Sequence, residues 1–100
     1  MIRGTTPTHY FEVPLDGESI DKVNILYGQD DKLLFKKKTS DCTIDGSKIS
    51  TKLTREETLL FDHKKPAQVQ SVGILRNGDV FESVIKTFGV DQLLDDGEIE

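Results

Sequence analysis

The sequence predicts an all-β fold: a small immunoglobulin-like β-sandwich of about seven strands with one short helix around residues 54–61. Three observations carry that expectation. Apolar and polar residues alternate in short runs, which sends one set of side chains to a core face and the other to solvent. Turn signals such as Asp-Gly and Asn-Gly recur along the chain. The length of 100 residues suits a single domain, and short strands at this spacing suggest a sandwich or barrel.

Residues 1–7 read as an extended arm, because Pro7 disfavours helix at Thr6. The domain proper spans 8–94. Phe11, Val13 and Leu15 alternate with Glu12 and Pro14 as a first strand, closed by Asp16-Gly17. Val23, Ile25 and Tyr27 alternate with Asn24 and Leu26 as a second, closed by Gly28-Gln29-Asp30-Asp31. Leu33 and Phe35 begin a third that runs into Lys36-Lys37-Lys38. Asp45-Gly46 predicts a hairpin between 42–44 and 48–53, where Ile49, Thr51 and Leu53 alternate with Ser50 and Lys52.

Thr54 breaks the pattern. Glu57 follows it by three residues, the spacing of a capping box in which hydroxyl and carboxylate satisfy the free donors at a helix start. Pro66 keeps that helix to a turn or two, and Leu60 and Phe61 are expected to plug one end of the sandwich. Asn77-Gly78 then predicts a type I′ turn joining 69–75 to 80–88. Gly73 inside that hairpin points to a bulge or a close backbone approach. Residues 95–100 form an acidic tail.

Thirteen Lys and Arg stand against 18 Asp and Glu, a net charge of −5. That balance argues against nucleic acid as a partner, since phosphate contacts need cationic side chains. The runs Lys36-Lys37-Lys38 and Lys64-Lys65 read as guards of a strand edge and a solvated loop, with an acidic partner as the alternative. The first residues carry no apolar h-region, and no apolar run approaches 18 residues. Neither a signal peptide nor a membrane helix is therefore expected.

Chemistry has little to build on. Cys42 is the one cysteine and reads as a small buried hydrophobe. His9 and His63 stand apart, without the clustered ligands of a metal site. The pairs Asp30-Asp31, Glu56-Glu57 and Asp95-Asp96 are adjacent residues, which on a strand point to opposite faces and make poor acid/base dyads. No phosphate-cradling glycine motif or nucleophile elbow occurs. We expect no enzyme activity, cofactor or metal. A carbohydrate-binding module is the non-catalytic alternative, with Tyr10 and Tyr27 as its candidate platforms in a chain without Trp.

Several stretches together carry a resemblance: Arg3-Gly4-Thr5-Thr6-Pro7-Thr8, Tyr27-Gly28-Gln29, Ser40-Asp41-Cys42-Thr43, the run from Leu53 through Thr54, Glu56, Glu57, Thr58 and Leu59 to Phe61, and Leu93-Leu94-Asp95-Asp96-Gly97-Glu98-Ile99. They resemble a family of roughly 100-residue proteins of phages and prophages of Gram-positive bacteria, encoded among virion genes. The chain is also distantly similar to the N-terminal β-domains of phage baseplate upper proteins. The resemblance implies a structural or accessory protein of a tailed-phage particle, located in the virion and in the host cytoplasm during assembly. Its implied partners are other virion proteins, with a homo-oligomer or repeated copies in the particle. Arg3, Thr5, Thr6 and Thr8 are the candidate partner-binding residues, on an arm with little reason to pack on its own domain. An assembly chaperone and a host-surface binding module are the alternatives.

Overall fold

Alternation over residues 20–29 builds the longest strand of the structure. A computed structural model describes residues 1–13 and 19–100. The expected strand end at Leu15 and the Asp16-Gly17 turn lie outside the described residues. The strands are β1 (Thr8–Glu12), β2 (Ile20–Gln29), β3 (Lys32–Lys37), β4 (Cys42–Asp45), β5 (Lys48–Lys52), β6 (Ala67–Leu75), β7 (Val80–Glu82) and β8 (Lys86–Phe88). A 3-10 turn spans Thr39–Asp41, and helix α1 spans Arg55–Thr58.

Eight strands therefore stand among the described residues, where about seven were expected. The extra one arises because the return strand over 80–88 is split. At Ser83 the side-chain hydroxyl accepts the Ser71 amide at 2.9 Å, taking the place of a ladder carbonyl. The strand is interrupted over 83–85, and Val84 and Ile85 are exposed. Pairing with β6 resumes at β8.

Two antiparallel sheets result. One has the order β1-β5-β4; the other has the order β3-β2-β6-β7, with β8 on β6 beyond β7. β2 and β6 share nine register pairs, and Val23↔Gly73, Ile25↔Ser71, Tyr27↔Val69 and Gln29↔Ala67 all turn inward. Ile49, Thr51 and Leu53 of the smaller sheet and its exit close the core from the other side. Tyr27, Ile25, Ile49, Leu53 and Phe61 are almost wholly removed from solvent, each contributing roughly 1.5–3 kcal/mol of burial.

The turns follow local chemistry, with one correction. Asp30 and Asp31 both take positive φ (57° and 61°), as the two-residue connection between β2 and β3 demands. Gly46 takes φ 59° at the first position of the β4–β5 turn. The β6–β7 connection is not the expected type I′ turn. The Gly78 amide donates to the Leu75 carbonyl at 2.9 Å, so Arg76 and Asn77 are the central pair. Gly78 alone takes positive φ, 92°. Asn77, whose φ is not positive, instead accepts the Asp79 amide through its side chain at 2.9 Å.

Capping proceeds as the sequence indicates. The Thr54 hydroxyl accepts the Glu57 amide and the Glu57 carboxylate accepts the Thr54 amide. Phe61 fills the core end beyond this helix, whereas Leu60 is 54% exposed and plugs nothing. Gly73 is a site of close approach: a Cβ there would lie 2.5 Å from the Lys22 carbonyl oxygen and from the Phe81 ring that covers it. Gly73→Ala should therefore destabilise the fold by about 1–3 kcal/mol, measured as a lower denaturant midpoint at unchanged slope.

Candidate functional site

The candidate arm is held by its own domain. Arg3 donates through Nε to the Phe61 carbonyl and through Nη2 to the Leu59 carbonyl at 2.9 Å. It also forms a forked pair with Asp96 at 3.0 and 3.1 Å. The Leu59 and Phe61 carbonyls lie just beyond the end of α1, where backbone acceptors lose their helical partners, and a planar guanidinium can serve both. Thr58 completes the contact: its buried hydroxyl accepts the Gly4 amide at 3.0 Å and donates to the Thr5 carbonyl at 2.8 Å. The chain end joins the same clasp, because Arg55 donates to the Gly97 carbonyl at 2.9 Å. Ile2 and Asp91 form a parallel bridge beside it.

This corrects the expectation of an arm with little reason to pack. Arg3 and the Thr5 backbone belong to the clasp, while Thr6 is exposed and Thr8 opens β1 opposite Lys52 with its side chain exposed. The four residues do not converge on one spot. The acidic tail is anchored at Asp96 and Gly97, although Leu94 and Ile99 stand almost fully exposed.

Inside, the aromatic groups converge. Tyr27 stacks on Phe35 at 4.9 Å and meets Phe61 and Phe88 edge-on. His9 reaches in from β1 and shares a hydrogen bond of 2.8 Å with the Tyr27 hydroxyl. Burial holds His9 below its ordinary value, and the nearby N-terminal ammonium adds to the effect. Burial pushes the Tyr27 phenol up, with Cys42 and Glu57 adding to it. Tyr27 is thus a core residue and no sugar platform; Tyr10 alone is open, at 72% exposure.

The lysine run divides by strand parity. Lys36 and Lys38 are exposed, but Lys37 is buried and pairs with Glu57 at 2.8 Å. Lys37 shares the inward parity of Phe35, two residues before it, which was the signal available in the sequence. Burial disfavours the charged form of Glu57, yet the bonds from Lys37 and Thr54 outweigh it and hold the carboxyl below its usual range. Cys42 is half-buried, and burial pushes its thiol up, away from ready thiolate formation.

His63 lies apart from His9 in the loop before β6. That loop is tied down by Gln29, whose side chain donates to the Asp62 and Lys65 carbonyls and accepts the Asp62 amide, all at 2.7–3.0 Å. Among the described residues no group of three or more His, Cys, Asp or Glu is arranged to hold a metal ion. No helix among them is long and apolar enough to cross a membrane.

The outer face of the larger sheet is open to solvent. Asn24, Leu26, Val72 and Ile74 point away from the core, and Leu33, Val80 and Ile85 are 62%, 68% and 54% exposed around them. A broad hollow of about 670 Å3 crosses this face from Lys38 to Glu82. Its lining mixes the apolar Val72, Ile74 and Val80 with Lys22, Lys36, Lys38 and Glu82. Compared with protein-family models, curated proteins and solved structures, the chain matches none.

Two outcomes follow. Arg3→Met should cost about 2–3 kcal/mol and speed hydrogen exchange at residues 1–5 and 93–97, whereas Asp96→Asn, which removes only an exposed pair, should cost under about 1 kcal/mol. Because His9 is less basic folded than unfolded, the unfolded chain binds more protons below the ordinary value of 6.5. Stability should be full above pH 6.5 and fall as pH drops through the lower folded value. His9→Gln should flatten the fall in denaturant midpoint just below pH 6.5, above the range where Glu57 protonates.

Proposed function

We propose that this chain is a non-enzymatic structural or accessory component of a tailed-phage particle, acting through protein–protein contacts. The observation that carries the contact mode is the outer face of the larger sheet, which leaves Leu33, Val80 and Ile85 in solvent. The phage assignment rests on the resemblance of the stretches described above. The Leu53–Phe61 part of that resemblance consists of structural residues: Leu53 and Phe61 are core, and Thr54 and Glu57 are the cap.

The finer fold belongs to the same proposal. In an immunoglobulin-like sandwich, strands B, E and D adjoin in one sheet, and G, F, C and C′ in the other. The orders β1-β5-β4 and β7-β6-β2-β3 follow that scheme when β1 is read as B and β2 as C. Tyr27 then takes the central core place on strand C that a Trp fills in antibody domains. The partners are other virion proteins and further copies of the chain, with Thr5, Thr6 and Thr8 available on the exposed part of the arm.

Quantitative mass spectrometry of purified particles from the encoding phage tests the reading. The expected outcome is a stoichiometric component released only on particle disassembly. Its presence in lysates but not in particles would replace this reading with that of an assembly chaperone.

A further inference from the structure

We infer that the outer face of the β3-β2-β6-β7 sheet packs against the same face of a second copy, about a two-fold axis lying in the interface along the strands. The inference rests on the contact function proposed above and names the partner and the surface.

The charges on this face decide the geometry. One row across the sheet runs Lys38, Asn24, Val72, Glu82: Asn24 pairs with Val72 and Val72 with Glu82, while Lys38 follows Lys37, the partner of Ile25. Lys38 and Glu82 both line the hollow and are exposed. The face thus carries Lys36 and Lys38 on its β3 edge, Lys22 on β2 and Glu82 on its β7 edge. A two-fold axis parallel to the strands keeps each row at its level and reverses its direction. Lys38 of one copy then meets Glu82 of the other, twice, and each Asn24 meets a Val72. An in-plane axis across the strands would instead put lysine edge over lysine edge, which like-charge contact disfavours.

The area is that of a weak contact. The four strands hold six, ten, nine and three residues, which at about 3.3 Å rise and about 4.8 Å spacing give a face of roughly 450 Å2. Two such faces bury roughly 900 Å2, the size of a weak, transient interface. At the centre, Leu26, Val72 and Ile74 supply apolar contact. Lys22 faces the partner's Ile74 and can lay its methylene stem over it. Closed two-fold pairing also leaves the clasp at the chain termini free for other virion contacts.

Sedimentation velocity on the full chain over about 5–500 µM should show a reversible monomer–dimer equilibrium. Lys38→Glu alone and Glu82→Lys alone should each weaken it by about tenfold or more, since each breaks two pairs at once. Mixing those two variants should restore dimer, as should the double variant carrying both. Circular dichroism confirms that these exposed substitutions keep the fold. A chain that stays monomeric throughout, or a dimer indifferent to both single variants, overturns the two-fold arrangement. If either occurs while the chain is still found stoichiometrically in particles, the virion reading stands without this interface. A dimer lost in both variants and not regained on mixing places the charges in a different contact and also overturns it.

Discussion

The ladder between Ile20–Gln29 and Ala67–Leu75 is the constraint that the other elements depend on. It joins segments nearly fifty residues apart, so the chain between them must close as a long loop before any pair forms. Once formed, its inner face supplies Val23, Ile25, Tyr27, Ala67 and Val69 to the core. β3 then adds on one side and β7 and β8 on the other. The smaller sheet has little to bury against without that surface. Contacts of such high sequence separation place folding toward the slow end for domains of this size.

Polar groups brought inside are satisfied with care. The His9–Tyr27 bond, the Lys37–Glu57 pair and the Gln29 side chain each tie an inner position to another part of the chain. A buried donor or acceptor left unmatched costs more than the bond itself returns. These contacts therefore restrict the sheets to one register more than they add stability. Glu57 serves twice, capping α1 and pairing with Lys37, and so links the helix to the β3 edge.

Much of the fold was legible in local patterns. The β2 and β5 segments follow from alternation, β4 and β6 from the Asp45-Gly46 and Asn77-Gly78 turn signals, and the α1 cap from Thr54 and Glu57, because these signals act within a few residues. Asn77-Gly78 signalled a turn but misled on its type, since Asn77 satisfied its side chain locally and left the positive φ to Gly78 alone. The split of β7 from β8 had no visible cue, as it depends on Ser83 meeting Ser71 across the ladder. The clasp that Arg3 makes on its own domain had no cue for the same reason: its acceptors at Leu59, Phe61 and Asp96 lie more than fifty residues away.

The sequence by itself determined an all-β chain, its turn positions, one capped helical turn and a net charge of −5. Period-two patterning and capping are local, so each residue's neighbours in the chain suffice to specify them. Only the tertiary structure decided which strands pair and which lysine is buried. It also decided that the chain's ends are clasped and that Lys38 and Glu82 stand at opposite ends of one row on the outer face. Those facts depend on residues distant in sequence becoming neighbours across a ladder, and that proximity exists only once the sheets have formed.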